Sequence, residues 1–195
     1  MPISPVSPSL NLPSTHDVDP LHSKIISTGK CLGQGWDGKV YEDKHNPGFV
    51  LKIFAGTARN ALEKEVALFN CYYGENSATL INDETIRMKK ISGIPLEVIE
   101  GKIFPENAIE RFNEMICKLG DSKIMHNDFH PGKILYDYVT NTFNPIDFSN
   151  KYDLYFSESN EQSCFADVND KKSAMNKIDE NNYNDYITFI KKHMF

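Results

Sequence analysis

Two carboxylates, Asp128 and Asp147, stand nineteen residues apart, and the segment between them, ILYDYVTNTFNPI, reads as a β-hairpin. A hairpin brings its ends together, and a pair of acids so placed suits one general base and one metal ligand. Upstream, Lys52 sits in Val50-Leu51-Lys52-Ile53. Its apolar neighbours face a core while the long stem lets the ammonium reach into a cleft. A lysine in a strand is more often merely solvated, so a partner decides the matter. Glu65, thirteen residues later, suits an ion pair, with Glu63 as the competing choice. Such a pair holds a lysine against the α- and β-phosphates of a nucleotide.

A glycine-rich run precedes this lysine: Gly33-Gln34-Gly35-Trp36-Asp37-Gly38-Lys39-Val40, with Leu32 immediately before it. Glycines let backbone N–H groups approach phosphate oxygens without a Cβ in the way. Alone the pattern is weak, because a glycine hairpin is often only a turn and dinucleotide-binding loops share it. A dinucleotide loop opens a helix, whereas here the β-like VYED follows the last glycine, which favours a strand-loop-strand flap over phosphates. Glycine flap, strand lysine, helix glutamate, His126-x-Asp128 and Asp147-Phe148 then occur in the order and at the spacing of a kinase-like phosphotransferase.

The surrounding elements must hold these groups. Residues 25–54 read as three antiparallel strands with a turn at Asn46-Pro47-Gly48. Thr57 is the expected N-cap of a helix carrying Leu62, Val66, Phe69 and Tyr73 on one stripe and ending at Gly74. Residues 78–91 read as two more strands, completing a small lobe of about 25–91. A second lobe, about 92–195, follows. In it ENAIERFNEMICKLG places Ile109, Phe112, Ile116 and Leu119 on one face and stops at Gly120; ILYDYV and PIDF are strands around the turn TNTFN. Tyr183, Tyr186 or Ile187, Ile190 and Met194 mark a terminal helix. The expected class is α+β, a minimal bilobal kinase-like domain over 25–195. Residues 1–24 carry five prolines and five serines with scattered apolar residues, the composition of a disordered tail.

Composition narrows the partners. The net charge of −6 disfavours nucleic acid or an anionic membrane, both of which require a basic face. Cys31, Cys71, Cys117 and Cys164 form no C-x-x-C pair, so they read as reduced thiols rather than a zinc site or a disulfide framework. No apolar run approaches the roughly 18 residues of a membrane span, and no signal peptide is evident.

The chain resembles the protein kinase superfamily and, more closely, the small type III-secreted effector kinases of the OspG/NleH family. The residues that carry the closer likeness are VYED at 40–43, VLKIF at 50–54, EVALFNCYYG at 65–74, IRMKKISG at 86–93, LYD at 135–137 and FNPIDFSN at 143–150. The resemblance spans roughly residues 28–155. It implies a monomeric ATP- and Mg2+-dependent Ser/Thr protein kinase, delivered into the cytoplasm of a host cell, acting on a host protein and binding ubiquitin or a ubiquitin-charged E2 enzyme. By the same resemblance Lys52 pairs with Glu65, Asp128 orients or deprotonates the substrate hydroxyl, and Asp147 holds the metal. Leu32, Gly33, Gln34, Gly35, Gly38 and Val40 would cover the nucleotide. Met88 would lie at the back of the adenine pocket, and Lys89 to Ser92 would form the hinge.

Departures from that pattern are informative. Asn127 stands where many kinases have Arg to grip a phosphorylated loop, so activity is expected to be constitutive or set by a partner. Ser149 replaces a hinge glycine. Forty-five residues follow Asn150, without an A-P-E sequence, so substrate recognition by other means is expected. The largest departure is Lys133, five positions after Asp128, where the pattern has Asn. Asparagine offers a carbonyl to a second magnesium; lysine offers only donors and a positive charge. Lys133 either neutralises phosphate charge and leaves one metal on Asp147, or pairs with Asp128 or Asp147 and depresses catalysis. The alternatives are therefore a pseudokinase scaffold for a ubiquitin-pathway protein, or a small-molecule phosphotransferase of the aminoglycoside or choline kinase type, whose H-x-D-x-x-P loop HNDFHPGKIL resembles. His130 lacks a second ligand at metal spacing, His126 reads as a loop-holding core residue, and Trp36 could stack on a ligand or simply lie exposed.

Overall fold

The computed structural model describes residues 26–35, 38–124, 126, 128–148 and 180–195. The segment 1–24, Trp36, Asn127, Ser149 and Cys164 lie outside these. Alternating apolar residues in the first third form an antiparallel sheet of β1 (Thr28–Gln34), β2 (Gly38–Asp43), β3 (Phe49–Phe54), β4 (Ala78–Asn82) and β5 (Thr85–Lys89), in the order β1-β2-β3-β5-β4. All five expected strands are present. The β2–β3 connection turns where Gly48 adopts φ 91°, a conformation that glycine reaches without steric cost. Because side chains alternate across a strand, Val50, Lys52 and Phe54 share one face of β3. Val40 lies opposite Lys52, and Met88 lies opposite Val50.

Helix α1 (Arg59–Tyr73) follows β3 and packs on this sheet. Its N-cap is Ala58 with no side-chain cap, not the expected Thr57; the helix starts one residue later than the threonine signal suggested. Gly74 ends it as expected, at φ 99° with its N–H bonded to the Asn70 carbonyl. The buried stripe is Leu62, Glu65, Phe69 and Tyr72, whereas Val66 and Tyr73 are only half-buried. An apolar reading of the period passed over Glu65 because its burial is made possible by an ion pair rather than by hydrophobicity.

The second lobe begins with the short β6 (Ile94–Pro95) and a 3-10 turn at Leu96–Val98, then α2 (Ala108–Asp121). α2 continues through Gly120 to Asp121 and is capped at Ser122, one residue past the expected stop. A 3-10 turn at Pro131–Lys133 leads into β7 (Ile134–Asp137) and β8 (Thr142–Pro145), which form a three-stranded sheet in the order β6-β7-β8. The hairpin is real but shifted: the second strand is TFNP, not PIDF, and Tyr138 and Val139 are exposed at the turn. α3 (Glu180–Lys192) closes the lobe, burying Tyr186 and Ile190 against α2. Phe104, Phe112, Tyr136 and Phe143 interlock as the aromatic centre of this lobe, with ring centroids 4.8–5.7 Å apart. No helix among the described residues is long and apolar enough to cross a membrane.

Candidate active site

The site forms where the inner face of the five-stranded sheet meets the β7–β8 hairpin. β3 delivers Lys52, and its ammonium reaches Glu65 Oε1 on α1 at 2.6 Å. Glu65 is thereby chosen over Glu63, which is exposed and pairs with Arg59 one helical turn away. Lys52 also contacts Asp147 Oδ1. Burial alone would lower the pKa of the Lys52 ammonium, but Glu65 and Asp147 outweigh it and hold the pKa above its ordinary value. For Glu65, burial dominates and holds the carboxyl pKa above its ordinary value, against the pull of Lys52.

Asp147 follows β8 and has φ 62°, a left-handed conformation that costs a non-glycine residue roughly 1 kcal/mol or more and persists only where neighbours enforce it. The neighbours are evident. Phe148 is buried between α1 and the loop before Asp128, with its ring 5.4 Å from His126, 5.6 Å from Tyr72 and 6.1 Å from Phe69. His126 Nε2 donates to the Ile146 carbonyl at 2.8 Å, so this ring holds the loop to the segment before Asp147, as the sequence suggested. Burial pushes the imidazole pKa down, against the pull of that hydrogen bond.

Lys133 stands between the two acids. Its Nζ is 2.7 Å from Asp147 Oδ2 and also contacts Asp128 Oδ2. Glu65, Lys52, Asp147, Lys133 and Asp128 thus form a chain of alternating charge. Three carboxylates against two ammoniums leave one net negative charge; asparagine at position 133 would leave two. Burial would raise the Asp147 carboxyl pKa, but the two lysines overcome it and keep that pKa far below the usual carboxylate range. The hydrogen bond from Lys133 is the main influence lowering the Asp128 carboxyl pKa, and the carboxylate itself is largely exposed. Asp128 can therefore accept a hydrogen bond from a hydroxyl arriving from solvent while it stays ionised.

No group of three or more His, Cys, Asp or Glu among the described residues could hold a metal by itself. A magnesium ion is commonly bound by one or two carboxylates together with substrate phosphates, and the site presents two carboxylates, Asp147 and Asp128, bridged by Lys133. The His130 Nδ1 accepts from the Gly132 N–H at 3.1 Å and caps the 3-10 turn.

Leu32 and the glycines lie at the β1–β2 hairpin, where the Gly35 N–H donates to the Gly38 carbonyl at 2.9 Å. A Cβ on Gly38 would fall 2.3 Å from the Ile53 carbonyl oxygen, whereas Gly33 and Gly35 have open space around them. Gly38 is thus required by the close approach of β2 to β3, while Gly33, Gln34 and Gly35 form the open flap. Met88 is buried on β5 beside Val50, and Lys89 is the exposed last residue of that strand. Ser92, between β5 and β6, donates to Asp137 Oδ2 at 2.6 Å, tying that connection to β7. Sequence reasoning missed this contact and the role of Tyr73, whose hydroxyl donates to the Pro145 carbonyl at 2.6 Å. A side chain bonded to a backbone carbonyl seventy-two residues away leaves no pattern in sequence.

The family model described as the kinase domain of Protein kinase OspG matches residues 31–176. Protein kinase OspG of Shigella flexneri is 29% identical, the match covering 80% of this chain and 89% of that protein. The same figures hold for Protein kinase OspG of Shigella sonnei.

Proposed function

Because the chain belongs to the OspG family of protein kinases, we propose that it transfers the γ-phosphate of ATP to serine or threonine hydroxyls of a host protein. In this reading it is an effector delivered by type III secretion into the host cytoplasm. The observation that carries the catalytic part is the assembled Lys52–Glu65 pair joined to Asp147 beneath a glycine flap. Gly33, Gln34, Gly35 and Gly38 let the flap backbone lie close to the phosphates, and Lys52 neutralises the α- and β-phosphate oxygens. Leu32 and Val40 cover the adenine, Met88 backs it, and Lys89 begins the hinge that reads its edge. Asp147 holds magnesium, which when bound supplies positive charge to the β- and γ-phosphates. Asp128 orients the acceptor hydroxyl and takes its proton. The protein acts as a monomer, and a ubiquitin or ubiquitin-charged E2 partner adjusts its rate.

A second reading, a kinase-shaped scaffold with little catalysis, is favoured by one observation: Lys133 contacts both acids at once. Transfer of radioactive phosphate from ATP to host proteins separates the two readings, measured with and without ubiquitin-charged E2. Wild type should transfer and Lys52→Ala should not. Equal, background-level labelling by both proteins under both conditions would leave only the scaffold.

A further inference from the structure

Both oxygens of the Asp147 carboxylate are engaged by ammonium groups, Oδ1 by Lys52 and Oδ2 by Lys133. We propose that Lys133 is a built-in counterion filling the place of a second divalent cation, so that each chain takes up one metal ion and only together with nucleotide. The proposal rests on the kinase reading and concerns how that site handles charge.

Three features support it. The first is position: Lys133 contacts the base and the metal ligand together, with its side chain only 16% exposed. The phosphoryl group moves from the β-phosphate oxygen of the nucleotide to a hydroxyl held at Asp128, and a cation beside that path faces the charge that develops. The second is anchoring. The Lys133 N–H donates to the His130 carbonyl, and its own carbonyl accepts from the Ile146 N–H, both at 2.8 Å. The lysine backbone is thus fixed at the base of the hairpin that presents Asp147.

The third is the chemistry of the donor set. A lysine ammonium has three N–H donors and no lone pair, so position 133 cannot ligate a metal as an asparagine carbonyl would. A bare divalent cation approaching Asp147 meets two positive charges, with both oxygens of that carboxylate already engaged. A triphosphate changes this balance. It competes for Lys52, which keeps Glu65 as a second partner at 2.6 Å, and so releases Asp147 Oδ1 for a metal arriving with the phosphates.

The test is a manganese titration of the full chain followed by the paramagnetic resonance of free Mn2+, with and without a non-hydrolysable ATP analogue. Analogue binding is followed separately by displacement of a fluorescent nucleotide. Wild type should bind no Mn2+ tightly alone and one ion with the analogue. Lys133→Asn should bind two with the analogue, and Lys133→Met, which removes the charge without adding a ligand, should bind one. Two ions on wild type, one on Lys133→Asn, or tight Mn2+ binding without nucleotide would each overturn the proposal while leaving the kinase reading intact. Failure of wild type to bind the analogue would overturn both.

Discussion

Tyr73 on α1 donates its hydroxyl to the carbonyl of Pro145 at 2.6 Å, which fastens the helix carrying Glu65 to the segment carrying Asp147. The same end of α1 is tied to the first sheet, where the Asn70 side chain donates to the Ala78 carbonyl at 3.0 Å and accepts from the Ala78 N–H at 2.7 Å. Helix α1 is therefore pinned to both lobes at its C-terminal end. The Lys52–Glu65 pair stands assembled on a helix held by these contacts.

Replacing Tyr73 with Phe keeps the ring packed 4.7 Å from that of Phe69 but removes the hydroxyl. The expected loss of stability is about 1 kcal/mol, the net worth of one hydrogen bond. If the bond positions α1, kcat should fall severalfold with little change in KM for ATP. Steady-state kinetics beside a thermal melt checks this; an unchanged kcat in a folded variant would mean that the bond serves stability alone.

Lys52→Met should reduce phosphate transfer by about 100-fold or more, since it removes a fixed cation from the phosphates. It also strips Glu65, which is 3% exposed, of its counterion. Leaving one member of a buried pair costs about 3 kcal/mol. Adding Glu65→Gln should recover part of that stability without recovering activity. Urea denaturation of the single and double variants is the measurement, and a double variant less stable than Lys52→Met would contradict it.

The flap glycines should separate by role. Gly38→Ala would drive a Cβ into the Ile53 carbonyl, where only backbone can yield, at a cost of about 1–3 kcal/mol. Gly33→Ala and Gly35→Ala meet nothing within 4 Å and should melt within a degree or two of wild type. Their effect, if the flap covers phosphates, should appear as weaker ATP binding. Melting curves and nucleotide titrations on the three variants distinguish the cases.

Much of this arrangement was legible in the sequence, for identifiable reasons. The apolar neighbours of Lys52 marked its strand, the glycine motif pointed to Val40, a charge thirteen residues on pointed to Glu65, and the hairpin between Asp128 and Asp147 brought the acids together because local turns and short-range pairing leave patterns. Strand limits near Asp147 were misjudged because Pro-Ile-Asp-Phe has strand-like composition, yet Asp147 takes a left-handed conformation that tertiary contacts impose. Lys133 was recognised as unusual from its position, but its contact with both acids depends on where the 3-10 turn aims it. Tyr73 and Asp43 left no signal, because both act through partners distant in sequence.

Asp43 yields a pH-dependent prediction. Its side chain is 1% exposed and meets the Arg87 guanidinium at 2.6 Å, on the face of the sheet opposite Lys52. It also accepts from the His45 N–H at 3.0 Å and from the Asn46 side chain at 2.9 Å. Burial acts to raise this carboxyl pKa, but Arg87 and the other donors outweigh it, so the folded-state pKa lies below the ordinary value. The unfolded chain should titrate near the usual value of about 3.9. A depressed folded pKa stabilises the protein fully above the unfolded value, and that contribution is lost as pH falls through the folded value. Asp43→Asn leaves Arg87 without its counterion and should cost about 3 kcal/mol at pH 7. Below about pH 4 the carboxyl of the unfolded chain protonates while the folded one stays ionised to lower pH, so the stabilisation from its charge shrinks and the gap between the two proteins should narrow. Urea midpoints of both proteins at pH 7 and pH 3 provide the measurement. A gap at pH 3 as wide as that at pH 7 would show that Asp43 contributes through its shape and hydrogen bonds rather than through its charge.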